Sequence, residues 1–418
     1  MSRAMQRAMA LVQKRPALLG AAWLFVAVNI ANVLAYGYQI VMLRLLRPQE
    51  FALLVSLFAA LIIESQGITL LQNTAAKIVA HRRAVGDVSG VSAFAWSWGL
   101  RVAVSTGAVA VIVALTAPFL GAVMGFPPVT VVMLAASLVF AALFAFAAGV
   151  LQGLARFGWL GAAYIAQAGA RLILGAVLVL AGFGVAGAFG GATIAVALSF
   201  VVTLAALRGL VRRPQAGDRA PDAGALFVGA AVLLLFYALL VNVDALLAPA
   251  LLRPAEAGAY AAAVTMGKIA LFAPLGLSVF LLEHTASAHA LGRPTRPTLY
   301  LVLAAVLCIS GAVALVYLLL PELAARIVAG DAYAPAVAMI VGTYGVAALS
   351  NALLQVWAVY FVGIGQLRVA VAFLLAFVAL TAALVLFARD PQTMARTVLA
   401  VTLATQVAVA AAFLRTRG

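Results

Sequence analysis

Long apolar runs, each ended by a few charged residues or by a Pro/Gly cluster, recur along the whole 418-residue chain. A hydrocarbon core about 30 Å thick takes about 20 helical residues to cross. The pattern therefore predicts twelve spans, at roughly 16–43, 51–79, 91–120, 129–151, 158–182, 186–207, 224–249, 257–282, 298–320, 334–361, 369–388 and 396–414. A transmembrane β-barrel would alternate apolar and polar positions within segments of about ten residues. Val102–Leu120 and Leu172–Leu180 instead carry apolar residues on every face. The first run is too long for a secretory signal and reads as an uncleaved helix.

Composition narrows the class. Apolar residues make up 67% and charged residues 9%, against roughly 45–50% and about 25% in soluble domains, and mean hydropathy is +1.19. The expectation is an all-α polytopic membrane protein. The net charge of +15 lies in short clusters between spans and not in one patch, so it reads as topogenic charge, with no nucleic-acid partner. Seventeen Lys and Arg fall on the side of the N-terminus and six on the other, which predicts cytoplasmic termini by the positive-inside rule. The single cysteine, Cys308, permits no intramolecular disulfide.

The connections are short, the longest outer one running from about Pro321 to Tyr333. That leaves no room for an extracytoplasmic catalytic domain. Arg208–Ala223, rich in Pro, Gly and charge, reads as a cytoplasmic linker between six-helix lobes at 1–207 and 224–418. The halves echo one another: Leu45-Leu46-Arg47-Pro48-Gln49-Glu50 returns as Leu251-Leu252-Arg253-Pro254-Ala255-Glu256, an offset of 206. Parallel repeats of this kind enclose a cleft suited to alternating access.

Familiar chemical motifs are weak. Gly182-Phe183-Gly184-Val185-Ala186-Gly187 fits a dinucleotide fingerprint but joins two membrane helices and follows no strand; Gly187 and Gly191 more readily permit close helix contact. His284 and His289 are five apart and do not share a helix face. No metal site and no cofactor are expected. What remains is charge within apolar runs, which is costly and marks function by default: Arg171, Lys268, Glu64 and Asp244. These four either pair with one another or line a charged cleft. Arg101, beside Trp96 and Trp98, reads as snorkelling to the interface. Asn29, Asn32, Tyr36 and Gln39 form one polar stripe on the first helix, suited to interhelical bonding or to lining water.

The segments LRLLRPQEF (43–51), GVLQGLARF (149–157), ARLILGAVLVLAGFGVAGA (170–188), FYALLVNVDALLAPALLRPAEAGAYAAA (236–263) and PELAARIVAGDAYAPA (321–336) resemble the polysaccharide-transporter (Wzx-like) branch of the multidrug/oligosaccharidyl-lipid/polysaccharide exporter superfamily. The resemblance implies a two-lobed, V-shaped flippase of the bacterial inner membrane. Its substrate would be an undecaprenyl-diphosphate-linked oligosaccharide, and its setting polysaccharide assembly. It also implies basic, acidic and basic roles for Arg171, Asp244 and Lys268, whereas Glu64 matches no family pattern. The expected substrate-binding set is Arg171, Lys268, Asn29, Asn32 and Gln39, with Glu64 and Asp244 as coupling or ion-pairing groups for a proton or sodium ion. The alternatives are a cation-coupled multidrug exporter of the same superfamily, which would use acidic groups and usually one in the first helix, and a membrane-embedded glycan polymerase or ligase.

Overall fold

The computed structural model describes residues 3–210, 228–331 and 333–415. Every regular element among them is helical: α1 (Arg3–Leu45), α2 (Pro48–Ala84), α3 (Val88–Leu115), α4 (Ala117–Met124), α5 (Pro128–Gly153), α6 (Phe157–Leu178), α7 (Gly184–Ala206), α8 (Val228–Leu251), α9 (Pro254–Phe272), α10 (Leu275–Ala290), α11 (Arg296–Leu319), α12 (Pro321–Ala329), α13 (Ala334–Gly363), α14 (Ala370–Phe387) and α15 (Pro391–Arg415). From residue 211 onward the expected linker lies outside the described residues.

Ten helical stretches among the described residues are long and apolar enough to cross a membrane, and the bent pair α9–α10 makes eleven. The protein is thus a multi-pass membrane protein. One of the ten, Phe157–Ala206, has 50 residues and would measure about 75 Å if straight, more than twice the hydrocarbon thickness. A π-helical turn at Val179–Phe183 breaks it, with Gly182 at φ 93° and Gly184 at φ 51°, backbone that glycine adopts readily. Residues 175 and 191 would lie about 24 Å apart in one continuous helix, yet a Cβ on Gly191 would sit 2.5 Å from the Gly175 nitrogen. So α6 and α7 are two crossings folded back on each other, and each of the twelve apolar runs meets helix among the described residues, with 91–120 shared by α3 and α4 and 257–282 by α9 and α10.

Two expected runs and one expected connection need correction. The run 91–120 breaks at Thr116, whose hydroxyl donates to the Val113 carbonyl at 2.6 Å, with Pro118 in the first turn of the short α4. The run 257–282 bends by 41° between α9 and α10, where Pro274 lacks the N–H that would continue the ladder, and the helix then extends to Ala290. The outer connection expected at 321–333 contains the amphipathic α12, with Leu323 and Ile327 exposed and Ala324, Ala325 and Ala329 buried.

The repeated Leu-Leu-Arg-Pro-x-Glu hexapeptide proves to be a helix start. Its proline begins α2 and α9, where a missing N–H costs nothing. The glutamate three residues after the arginine reaches back to an orphan donor: Arg47 N–H donates to Glu50 Oε2 at 3.2 Å and Arg253 N–H to Glu256 Oε2 at 3.4 Å. Arg253 also donates from its guanidinium to Glu256.

The chain divides into two compact units. The first comprises Met1–Met42, Gly67–Gly121 and Phe126–Ala223. Its core includes Val79, Phe94, Phe146, Val150 and Leu151. Small residues let α5 approach α2 closely, since a Cβ on Gly149 would meet the Gln72 carbonyl at 2.3 Å and one on Gly153 the Ala76 carbonyl at 2.6 Å. Gln72 then bridges helices, donating to Tyr164 Oη at 2.9 Å and to Gln152 Oε1 at 3.2 Å. The second unit comprises Leu43–Gln66, Ala122–Gly125 and Gly224–Gly418. Here side-chain hydroxyls tie helix to helix: Ser56 to the Leu246 carbonyl at 2.8 Å, Ser310 to that of Ala270 at 2.7 Å and Tyr317 to that of Met266 at 2.9 Å.

Candidate functional site

In the first unit the functional candidate is built on α1, α6 and α7. Arg171 lies 14 residues into α6, about 21 Å from the start of that helix, and is half-buried. Its guanidinium carbon stands 4.9 Å from the centroid of the Tyr38 ring, within the range of an attractive cation–π contact. Tyr38 is 0% exposed and donates its hydroxyl to the Ala188 carbonyl of α7 at 2.9 Å. On the α6 side the ring lies against Gly175, where an added Cβ would come within 2.6 Å of Tyr38 Cε2. The ring is therefore fixed at its hydroxyl and along its edge.

Asp87, between α2 and α3, is the acidic residue of this unit among the described residues. Asp87 caps α3 by accepting from Gly90 N–H at 2.8 Å, and that bond, ahead of Ser89 and Arg82, holds its carboxyl below the usual carboxylate range. An arginine stays protonated in proteins. Arg171 is thus a fixed cation within apolar helices.

The polar stripe of α1 is not one uniform surface. Asn29 and Asn32 are exposed, and the Asn29 amide bonds back to the Phe25 carbonyl at 2.8 Å. Gln39, further along, is half-buried and keeps a buried Oε1 with no hydrogen-bond partner among the described residues. Arg101 is exposed on α3 with its guanidinium 5.4 Å from the Trp98 ring centroid.

In the second unit the candidate group centres on Asp244 of α8, which is 1% exposed. Its Oδ2 accepts two phenolic hydroxyls, from Tyr260 of α9 at 2.7 Å and from Tyr344 of α13 at 3.0 Å. The two rings meet edge to face at 84°, with centroids 5.5 Å apart. Gly267 makes room for Tyr344, since a Cβ there would come within 2.6 Å of Tyr344 Cε1. Lys268, half-buried on α9, lies within electrostatic reach of the Asp244 carboxylate. Glu64, midway along α2, is half-buried and its Oε2 has no hydrogen-bond partner among the described residues. Among those residues no group of three or more His, Cys, Asp or Glu could hold a metal ion.

The structure therefore brings Asp244 together with Lys268. It adds Tyr38, Tyr260 and Tyr344, which sequence reasoning did not name as site residues. Only Tyr38 carried a signal, for the 206-residue offset sets it opposite Asp244.

No protein-family model matches the sequence, and no curated protein matches it. Solved structures do. A multidrug resistance MATE family transporter in an inward-facing conformation aligns with 96% of this chain and 99% of its own, at TM-score 0.71 and 14% identity. The fold is that of the MOP superfamily. A MOP superfamily transporter from Pyrococcus furiosus, described as having a binding pocket of reverse polarity, aligns over 94% of this chain and 96% of its own, with TM-score 0.63 and 12% identity. The lipid II flippase MurJ in an inward closed conformation aligns over 93% of this chain and 87% of its own, with TM-score 0.64 and 10% identity. The likeness to this fold thus extends over nearly the whole chain and both units.

Proposed function

We propose that this protein is a transporter and not an enzyme: a flippase that moves an undecaprenyl-diphosphate-linked oligosaccharide from the cytoplasmic to the outer leaflet of a bacterial inner membrane, for polysaccharide assembly. Both termini are cytoplasmic in this reading. The observation that carries it is Arg171, a half-buried guanidinium about 21 Å along α6 and 4.9 Å from the Tyr38 ring centroid, within apolar helices. A cation within a membrane span is costly and marks function by default, and an anionic ligand offsets part of that cost when it binds. A diphosphate carries about two negative charges, whose passage through hydrocarbon costs several kcal/mol or more per ion. The guanidinium offers a fork of donors matched to phosphate oxygens. Lys268 is assigned as a second phosphate contact, Asn29, Asn32 and Gln39 as contacts to the polar headgroup, and Glu64 and Asp244 as groups for a coupling proton or sodium ion. The fold shared with MurJ, described as a lipid II flippase, supports this substrate class.

The fold shared with a multidrug resistance transporter supports a second reading, cation-coupled drug export, and the buried carboxylate of Asp244 is the group it would use. Against it, α1 has no acidic residue. Purified protein in liposomes separates the two. The proposal expects a fluorescent undecaprenyl-diphosphate oligosaccharide added to one leaflet to become accessible to lectin on the other with its bonds intact. Transport of cationic dyes without flipping of that lipid would overturn it.

A further inference from the structure

Within the first unit α3 and α7 both pack against α5, and a groove runs between them. Trp96, Leu100 and Ala103 of α3 and Leu204 and Leu207 of α7 line it together with Phe146 of α5, around a cavity of about 260 Å³. Seven residues separate Trp96 from Ala103, so the groove is about 10 Å long. Leu100 and Leu204 are 58% and 43% exposed, so it opens away from the core of the unit. Apolar cavities stay dry, and on helices that cross a membrane the filling that fits is a hydrocarbon chain. The two ends differ in charge. Near Trp96 and Leu207 the helices α5 and α7 terminate, and two arginines stand there. Arg208, exposed, follows Leu207 directly, and Arg156, at the N-cap of α6, donates from Nη1 to the Ala206 carbonyl. Asp87, the N-cap of α3 at that end, is engaged by Arg82 at 2.8 Å and by Gly90 N–H.

We propose that this groove binds an anionic phospholipid of the surrounding bilayer, with one acyl chain lying between α3 and α7 and the phosphate headgroup meeting Arg208 and Arg156. Length supports the assignment. A leaflet contributes about 15 Å of hydrocarbon, so a chain whose headgroup sits at the arginine end is sheltered over about two thirds of that depth. Charge supplies the selectivity. Any lipid can provide a chain, but basic pockets between membrane helices favour anionic headgroups, and the guanidinium fork matches phosphate oxygens. A zwitterionic headgroup brings its own cation to the same place and gains less. Neither α1 nor α6 lines the groove, so the site is separate from Arg171, and the inference does not depend on what the protein transports.

The test titrates the purified full-length protein in detergent with phosphatidylglycerol and with phosphatidylcholine of the same chains, read by native mass spectrometry. One copy of phosphatidylglycerol is expected to bind about thirtyfold more tightly than phosphatidylcholine, from about fivefold for each of two arginines. Arg208→Gln is expected to weaken phosphatidylglycerol by about fivefold and to leave phosphatidylcholine unchanged. Ala103→Phe puts a ring where the chain would lie and is expected to abolish the tight copy. Gly99→Leu is a second filling variant, since a Cβ at Gly99 meets Phe146 Cε1 at an ordinary 3.4 Å, and it is expected to do the same. Both should elute as wild type does in size exclusion. Arginines that merely attract anionic lipid to the surface would respond to Arg208→Gln but not to the filling variants. Unchanged phosphatidylglycerol binding in a folded filling variant therefore overturns the groove. Equal affinity for the two lipids overturns the headgroup assignment. Displacement of phosphatidylglycerol by a tenth as much undecaprenyl phosphate would give the groove to a prenyl tail and overturn the phospholipid.

Discussion

Removing the carboxyl of Asp244 is expected to strand two buried phenols. Tyr260 is 0% and Tyr344 4% exposed, and both donate to the same Oδ2 atom. Leaving a buried donor without a partner costs about 1–3 kcal/mol, so Asp244→Ala should destabilise the protein by about 2–6 kcal/mol. Lys268 also loses the charge it faces. Asp244→Asn behaves differently, because one amide oxygen has two lone pairs and can accept both hydroxyls. Its cost should be near the difference between charge-assisted and neutral bonds, about 1 kcal/mol for each of the two. Tyr260→Phe and Tyr344→Phe each remove one donor and should fall between wild type and Asp244→Ala. Reversible unfolding by SDS in mixed micelles, followed by tryptophan fluorescence, would rank the four variants. An Asp244→Ala protein that unfolds at the wild-type SDS fraction would refute the reasoning, since the hydroxyls would then have found other partners. In liposomes, Asp244→Asn should abolish any dependence of transport on a pH gradient at constant membrane potential. If wild-type transport already ignores that gradient, Asp244 is not a proton-coupling group.

Three further outcomes are expected. Gly191→Leu should prevent the α6–α7 hairpin from closing, because even a Cβ there would fall 2.5 Å from the Gly175 nitrogen, a backbone clash beyond the about 1–3 kcal/mol of ordinary overpacking; normal yield of folded protein would contradict this. Asp390 caps α15, and its carboxyl is held below the usual range first by the Thr393 hydroxyl and then by backbone N–H groups of Thr393 and Gln392. Asp390→Ala should therefore cost about 0.5–2 kcal/mol at neutral pH. A carboxyl with a depressed folded-state pKa stabilises above its unfolded value of about 3.9 and loses that contribution as pH falls through the folded one, so the gap between variant and wild type in SDS unfolding should close in acid and not in alkali. Reporters fused after Arg213 and after Gly418 should report cytoplasm, and one fused after Glu256 the opposite side; agreement between the Arg213 and Glu256 fusions would refute the span assignment.

The spans were legible because the bilayer sets a length that apolar runs must meet. Their interruptions were less so: Pro274 lay in plain sight inside the run 257–282, and Thr116 and Pro118 inside 91–120, but hydropathy averages over single breaks. The repeated Leu-Leu-Arg-Pro-x-Glu motif was recognised as a repeat, while its role as a helix start emerges only from the Arg47–Glu50 and Arg253–Glu256 hydrogen bonds. Charged site residues stand out in an apolar sequence, and Arg171, Lys268, Glu64 and Asp244 did so. Their aromatic partners did not, because Tyr260 and Tyr344 lie 16 and 100 residues from Asp244 and tyrosine is unremarkable in a membrane helix. The α1 stripe had the right period, yet Asn29 spends its amide on its own helix, a local bond that spacing alone does not reveal.

The central claim is that a fixed cation in the first unit carries an anionic lipid headgroup across the membrane. It is tested most directly by the initial rate at which a fluorescent undecaprenyl-diphosphate oligosaccharide is flipped in liposomes by wild-type and Arg171→Ala protein, inserted to equal density. The account predicts rapid flipping by the wild type and a rate in the Arg171→Ala liposomes near that of protein-free vesicles, with partial recovery in Arg171→Lys, where the charge survives without the donor fork. It also predicts that an inside-negative potential speeds outward flipping, by up to about 2.3 kcal/mol per charge per 100 mV. Equal rates for wild type and Arg171→Ala would contradict it.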